Sequence, residues 1–172
     1  MRYKNIVFIG MAGSGKSKLG MKVAEKIGYS FIDTDRYIES MEGITLDEIM
    51  KKYGNTKFKE IEEKRILEIH LCKYVISTGG SAVYSQKAME HLKKGGIIVY
   101  LSKECDYLKR KIKNMGSRAI VGFDGKNFDE IYEERKPLYE KYADITVDGE
   151  CSVEELVEII SSFPISPPQE AR

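Results

Sequence analysis

The 172-residue chain is poor in several things that would point to particular functions. It has three cysteines, Cys72, Cys105 and Cys151, widely spaced and without a Cys-x-x-Cys pair. That excludes a disulfide framework and a thiolate zinc site and leaves free thiols suited to a reducing compartment. His70 and His91 are the only histidines. Each falls on a helix-like stretch with no His or Cys at ligand spacing, so both read as structural or exposed. No apolar run approaches the ~18 residues of a membrane span. The opening Met1 to Asn5 leads straight into a short apolar strand, without a secretory h-region. A cytoplasmic location and no membrane partner are expected. Charge of one sign is also lacking: 28 Lys+Arg stand against 27 Asp+Glu, for a net +1. Such balance gives no field for non-specific nucleic-acid binding. There is no internal repeat, no heptad and no large apolar stripe, so a monomer is expected. Of the four prolines, Pro164, Pro167 and Pro168 fall in a C-terminal stretch without periodicity. Residues 164–172 read as a disordered tail.

The rest is ordinary for one domain: 42% apolar and 32% charged residues. Residues 1–163 suffice for a single buried core. Strand-like and helix-like segments alternate, which implies βαβ units and a parallel sheet. Ile6 to Ile9 is a wholly apolar run, as expected for a strand covered on both faces. Further strands are expected at Ser30–Ile32, Tyr74–Ser77, Ile97–Leu101 and Ile145–Val147. Helices are expected at Lys18–Lys26, Thr45–Tyr53, Phe58–Leu71, Gln86–Lys93, Glu104–Lys113, Phe128–Tyr142 and Ser152–Ser162. Ser152 and Glu155 form a capping box at the last of these, and Pro137 requires a kink or break in the one before. Asn114 to Asn127 has Gly, Ser and Asp but little periodicity, and reads as a mobile loop.

One motif carries chemistry strongly. Gly10, Met11, Ala12, Gly13, Ser14, Gly15, Lys16 and Ser17 fit G-x-x-x-x-G-K-[ST], placed after a strand and before a helix. Its glycines let the backbone fold so that several N–H groups converge on a phosphate. The following helix points its positive end there. Lys16 would reach the β- and γ-phosphates and Ser17 would ligate Mg²⁺. Lys18 follows at the start of the helix.

Asp33 and Asp35 follow the second strand, where ligands sit in open α/β sheets. One acid near the metal and one near an acceptor hydroxyl is what phosphoryl transfer to an alcohol needs. A solvated Asp-rich turn is the plainer alternative. The run Thr78, Gly79, Gly80, Ser81 ends the third strand, and its glycines allow a ligand close to the backbone. Arg118 lies in the expected loop, where closure could stabilise phosphoryl charge. Arg135 opens an Arg-Lys-Pro-Leu-Tyr segment and could grip a carboxylate. Either arginine could instead be a solvated surface residue.

Taken together, these motifs resemble the shikimate kinase family, P-loop kinases of the nucleoside-monophosphate-kinase type. The match runs from the first strand to about Ile160. The resemblance implies a three-layer α/β/α fold with a five-stranded parallel sheet and a lid at about 114–127. It implies transfer of the γ-phosphoryl of Mg-ATP to the 3-hydroxyl of shikimate. By it, Asp35 would hold and activate that hydroxyl, and Asp33 would support Mg²⁺ through water. Gly79, Gly80 and Ser81 would back the substrate ring, Arg135 would bind its carboxylate, and Arg118 would reach the ATP phosphates. Arg110 matches the position that stacks on adenine. Phe58 to Glu62 falls where the family has Phe-Arg-x-x-Glu.

Three positions depart from the pattern. The motif arginine is Lys59, a flexible point charge in place of a bidentate fork. The third glycine of Gly-Gly-Gly is Ser81. The residue after the lid arginine is Ala119 instead of proline. The first two concern the acceptor pocket and keep a second reading open, a related kinase with another small hydroxylated acceptor. A nucleotide-binding homologue without turnover is a third, against which stand the retained Lys16, Ser17, Asp33 and Asp35.

Overall fold

The computed structural model describes residues 5–113 and 125–163. Arg118, most of the expected lid and the expected tail lie outside them.

Five parallel strands form the sheet: β1 (Asn5–Ile9), β2 (Ser30–Asp33), β3 (Tyr74–Ser77), β4 (Ile97–Ser102) and β5 (Ile145–Asp148). Their spatial order is β2-β3-β1-β4-β5. The central β1 is buried throughout, because helices cover both faces and every side chain faces a layer. Edge strand β5 instead alternates, with Ile145 and Val147 inward and Thr146 and Asp148 outward.

Among the described residues seven helices complete the fold: α1 (Lys16–Ile27), α2 (Thr34–Glu42), α3 (Leu46–Leu67), α4 (Gln86–Gly95), α5 (Cys105–Lys113), α6 (Phe128–Tyr142) and α7 (Val153–Ser162). On one face of the sheet, Ile6, Phe8, Val75 and Val99 pack with Val23 and Ala24 of α1 and Leu156 and Ile160 of α7. On the other, Val7, Ile9, Ile76, Ile98 and Tyr100 pack with residues of α3, α4, α5 and α6. A satellite cluster of Ile38, Ile49 and Phe58 joins α2 to α3. Among the described residues no helix is long and apolar enough to cross a membrane.

Three local expectations need correction. Helix α2 was not foreseen; the Asp33 side chain caps it by accepting from the amides of Asp35 and Arg36. The two helices expected at 45–53 and 58–71 are both present within α3, separated by a kink at Gly54, whose φ of 77° is non-helical, and the second ends early. It stops at Leu67, so His70 lies beyond its end. Finally, α6 runs unbroken through Pro137. Pro137 and Glu133, whose carbonyl loses its helical donor, both lie on the exposed face, where that carbonyl is open to solvent.

Candidate active site

Ligands of open α/β sheets bind beyond the carboxyl ends of the strands where the order reverses, which here is the end of β1, between β3 and β4. The Gly10–Ser17 loop leaves that end. Gly10, Gly13 and Gly15 take φ values of 142°, 82° and 96°, conformations that only glycine adopts without strain. Capping boxes close α3, α6 and α7, but no side chain caps α1. Its first amides therefore remain available to an anion. The Ser14 hydroxyl is buried without a hydrogen-bond partner, which suits a phosphate oxygen. Lys16 is buried, and its Nζ donates to the carbonyls of Gly10 at 2.7 Å and Met11 at 2.8 Å. Burial pulls its pKa down to about 8 while the charges of Asp35 and Asp33 hold it up, so it stays cationic at neutral pH.

Ser17 Oγ donates to Asp33 Oδ2 at 2.5 Å and lies 3.2 Å from Ser77 Oγ. This is an all-oxygen cluster with a single carboxylate. Among the described residues no group of three or more His, Cys, Asp or Glu could cage a metal. Few protein ligands and hard donors suit Mg²⁺, which keeps waters and takes phosphate oxygens.

Opposite stands a wall built from the start of α2, the middle of α3, the loop after β3, and α6. Thr34 Oγ1 accepts from the Gly79 amide at 3.0 Å and fixes α2 against that loop. A methyl group at Gly79 would meet Asp35 Oδ1 at 2.5 Å and Glu62 Oε1 at 2.7 Å. The two carboxylates thus flank a bare backbone. Burial, then the neighbouring Asp33, push the Asp35 pKa up to about 6, against the pull of Lys16. Glu62 is fully buried, which raises its pKa to about 8, opposed first by its bond from Ser81. Ser81 Oγ donates to Glu62 Oε2 at 2.7 Å, while Glu62 Oε1 has no partner.

Arg135 is 1% exposed. A methyl group at Gly80 would stand 3.0 Å from its Nη1, so the guanidinium closes the wall at that glycine. Lys59 extends from α3 with its Nζ 4.4 Å from the centre of the Tyr84 ring. Tyr139 donates to the Gly80 carbonyl at 2.6 Å and contacts Met11 Sδ at 3.6 Å. This places a phosphate loop, a carboxylate raised toward neutrality and two cations around one glycine-lined wall. It can hold a nucleotide on one side and a small anionic alcohol on the other.

The family model for shikimate kinase matches residues 12–163. The chain belongs to the shikimate kinase family. It is 38% identical over 161 residues to the shikimate kinase of Thermodesulfovibrio yellowstonii, covering 91% of this chain and 92% of that one. With the shikimate kinase of Caldanaerobacter subterraneus it is 35% identical over 159 residues, covering 90% and 92%. The structure of the Acinetobacter baumannii shikimate kinase in complex with shikimate aligns at a TM-score of 0.86. It has 26% identity and covers 96% of this chain and 97% of that one.

Seen as a shikimate kinase fold, the structure brings Lys16, Ser17, Asp33, Asp35, Lys59, Gly79, Gly80, Ser81 and Arg135 to one end of the sheet, around the loop from Gly10. Ala12 is drawn in as well, its amide 3.5 Å from a methyl group placed at Gly80. Lys18 stands exposed on the first turn of α1. Arg110 is apart from the acceptor wall, exposed on α5. It lines a recess of about 480 Å³ with Lys103, Tyr107, Asp148 and Glu150. That recess adjoins the phosphate loop: Gly149 packs on the Ser14 carbonyl, and Leu108 and Ile112 of α5 pack on Gly13. Ser81 does not present its hydroxyl to the pocket, since Glu62 takes it. His70 and His91 meet edge to face at 5.2 Å, away from the wall, and His91 bonds the Ile69 carbonyl.

Glu62 entered the sequence reading only as the last position of the Phe58–Glu62 segment, without a role, and Tyr84 was missed. A role for Glu62 could have been found, for Phe58, Glu62 and Ile66 recur at helical spacing and all three are buried. A charged residue on an apolar stripe is a signal of function. Tyr84 carries no such signal. It ends a short 3₁₀ turn, Ala82–Tyr84, whose position follows only from the folded chain.

Proposed function

We propose that this protein transfers the γ-phosphoryl group of ATP to the 3-hydroxyl of shikimate, giving ADP and shikimate 3-phosphate. The observation that carries the reading is the wall around Gly79 and Gly80: Asp35 at one side, Arg135 at the other, facing the loop that holds Lys16. Family membership and the shikimate-bound relative of the same fold support the choice of acceptor.

In this reading Asp35 positions the acceptor hydroxyl and takes its proton through Oδ1 as the new P–O bond forms. Its raised pKa brings it nearer to working pH than an ordinary aspartate, as a general base requires. Lys16 exchanges its carbonyl contacts for the β- and γ-phosphate oxygens and offsets the charge that moves to the leaving ADP. The amides of Gly13 to Ser17 bind the phosphate chain. Mg²⁺ would be held by Ser17 directly and by Asp33 through water, and would screen the phosphate oxygens. Arg135 and Lys59 receive the substrate carboxylate, and the bare backbone of Gly79 and Gly80 backs the ring. Arg110 and its recess would take the adenine. Arg118 is assigned to the ATP phosphates by resemblance alone. We further read residues 1–163 as one kinase domain with a lid at 114–127, acting as a cytoplasmic monomer. The free Cys72, Cys105 and Cys151 support that location.

The second reading, another acceptor, rested on Lys59 and Ser81. Ser81 no longer favours it, because its side chain is buried against Glu62. Lys59 still supplies a cation beside Arg135, each against the ring of Tyr84. The test is ADP release from Mg-ATP with shikimate, compared with hydroxy acids, sugars and nucleoside monophosphates. Stimulation by shikimate alone is expected. Stimulation by another member alone would move the function to that acceptor.

A further inference from the structure

Tyr84 is assigned no role by any motif, yet three side chains from two helices converge on it. The Lys59 ammonium lies 4.4 Å from its ring centre and the Arg135 guanidinium carbon 5.1 Å from it. Arg135 Nε also donates to the Tyr84 hydroxyl at 3.2 Å. That hydroxyl in turn bonds Glu134, the neighbour of Arg135 on α6. Two side chains of like charge, one from α3 and one from α6, are therefore held beside the same ring. Left alone they repel. The negative face of an aromatic ring attracts each.

We propose that Tyr84 is the positioning residue that sets this pocket's preference for a carboxylate-bearing acceptor. The inference rests on the functional reading above. The phenol takes the Nε–H of Arg135, while Nη1 lies on the Gly80 side. The ring holds the Lys59 ammonium as the second point of a clamp. A flexible lysine otherwise lacks the fixed fork of an arginine. Tyr84 supplies from the wall the direction that the lysine side chain lacks. A carboxylate that reaches both cations meets one planar and one spherical donor, each already held at the Tyr84 ring before it arrives.

The test uses purified full-length enzyme and the variants Tyr84→Leu and Tyr84→Phe. KM and kcat are measured for shikimate and for ATP. The methyl ester of shikimate, which has no charge, is measured as substrate or as competitive inhibitor. Tyr84→Leu should raise KM for shikimate by about tenfold, within the range of a partly desolvated cation–π pair. Values for ATP and for the ester should stay unchanged. Tyr84→Phe keeps the ring, loses the hydroxyl's bonds to Arg135 Nε and Glu134, and should raise KM for shikimate about threefold. This milder variant keeps the question open to refutation should Tyr84→Leu fold poorly. An unchanged KM for shikimate in both variants, or an equal rise for acid and ester, would overturn the proposal. Failure of the unaltered enzyme to use shikimate would instead refute the functional reading. Binding of cyclohexene-1-carboxylate to the same three proteins would then judge the clamp, with weaker binding expected for both variants and equal binding overturning it.

Discussion

Replacing Gly79 by alanine adds one methyl group where the structure has no room for it. The φ of Gly79 lies outside the left-handed region, so the substitution is not a test of backbone strain. The new Cβ would stand 2.5 Å from Asp35 Oδ1 and 2.7 Å from Glu62 Oε1. Relief of both contacts requires each carboxylate to retreat by about 0.7–0.9 Å to reach ordinary van der Waals distance. Glu62 is 2% exposed and held by Ser81, so it has little freedom, and most of the movement falls on Asp35. Overpacking of this kind costs about 1–3 kcal/mol in stability. A displacement near 1 Å at the group that takes the acceptor proton costs about 100-fold in rate. The expected result is a variant that folds, melts somewhat lower, keeps its KM for ATP and loses about two orders of magnitude in kcat with shikimate. Steady-state ADP release with both substrates varied separates these quantities. A Gly79→Ala enzyme with kcat within about threefold of the parent would show that Asp35 is not pinned by this wall.

Lys16→Ala should abolish turnover while the fold persists, since no other side chain of the phosphate loop is cationic at that position; retained activity in the ADP assay would remove the loop from the mechanism. Asp35 should give kcat/KM an acid limb near pH 6, because burial holds its proton above the ordinary aspartate value of 3.8 and the base must be ionised. A limb near pH 4 in the pH–rate profile would contradict that environment. Glu62 binds its proton more tightly folded, at about 8, than at its ordinary 4.5. Between those pH values the folded state holds more protons than the unfolded, so this group's contribution to stability falls as pH rises. Glu62→Gln cannot ionise, and its urea midpoint should therefore gain on the parent's from pH 5 to pH 8; parallel curves would refute the assignment.

The phosphate loop was fully legible because its spacing reports a backbone shape, and the same holds for the alternation that produces a parallel sheet. Helix α2 was not legible. Its first turn, Thr34 to Tyr37, carries two charges and only one aromatic residue, and its cap Asp33 doubles as a site residue, so local polarity pointed to a turn. The break in α3 falls at Gly54, directly after the Tyr53 boundary expected from periodicity, because glycine relaxes the backbone where the apolar spacing lapses. In the pocket, Lys59 and Ser81 looked like two equal departures from the family pattern. The fold separates them: Ser81 is turned into the wall by Glu62, whereas Lys59 stands beside Tyr84 and Arg135. Pairings of that kind join residues 19 to 51 positions apart, and no one-dimensional spacing encodes them.

Tyr139 stacks on Tyr100 of the central sheet at 5.1 Å, and its hydroxyl touches both Met11 and the Gly80 carbonyl. One rigid ring thereby works as a ruler between the donor half of the cleft and the acceptor half. The gap a phosphoryl group must cross is a dimension of the core, fixed before either substrate binds. Changes on the far side of the pocket, as at Lys59 and Ser81, leave untouched the span over which chemistry occurs.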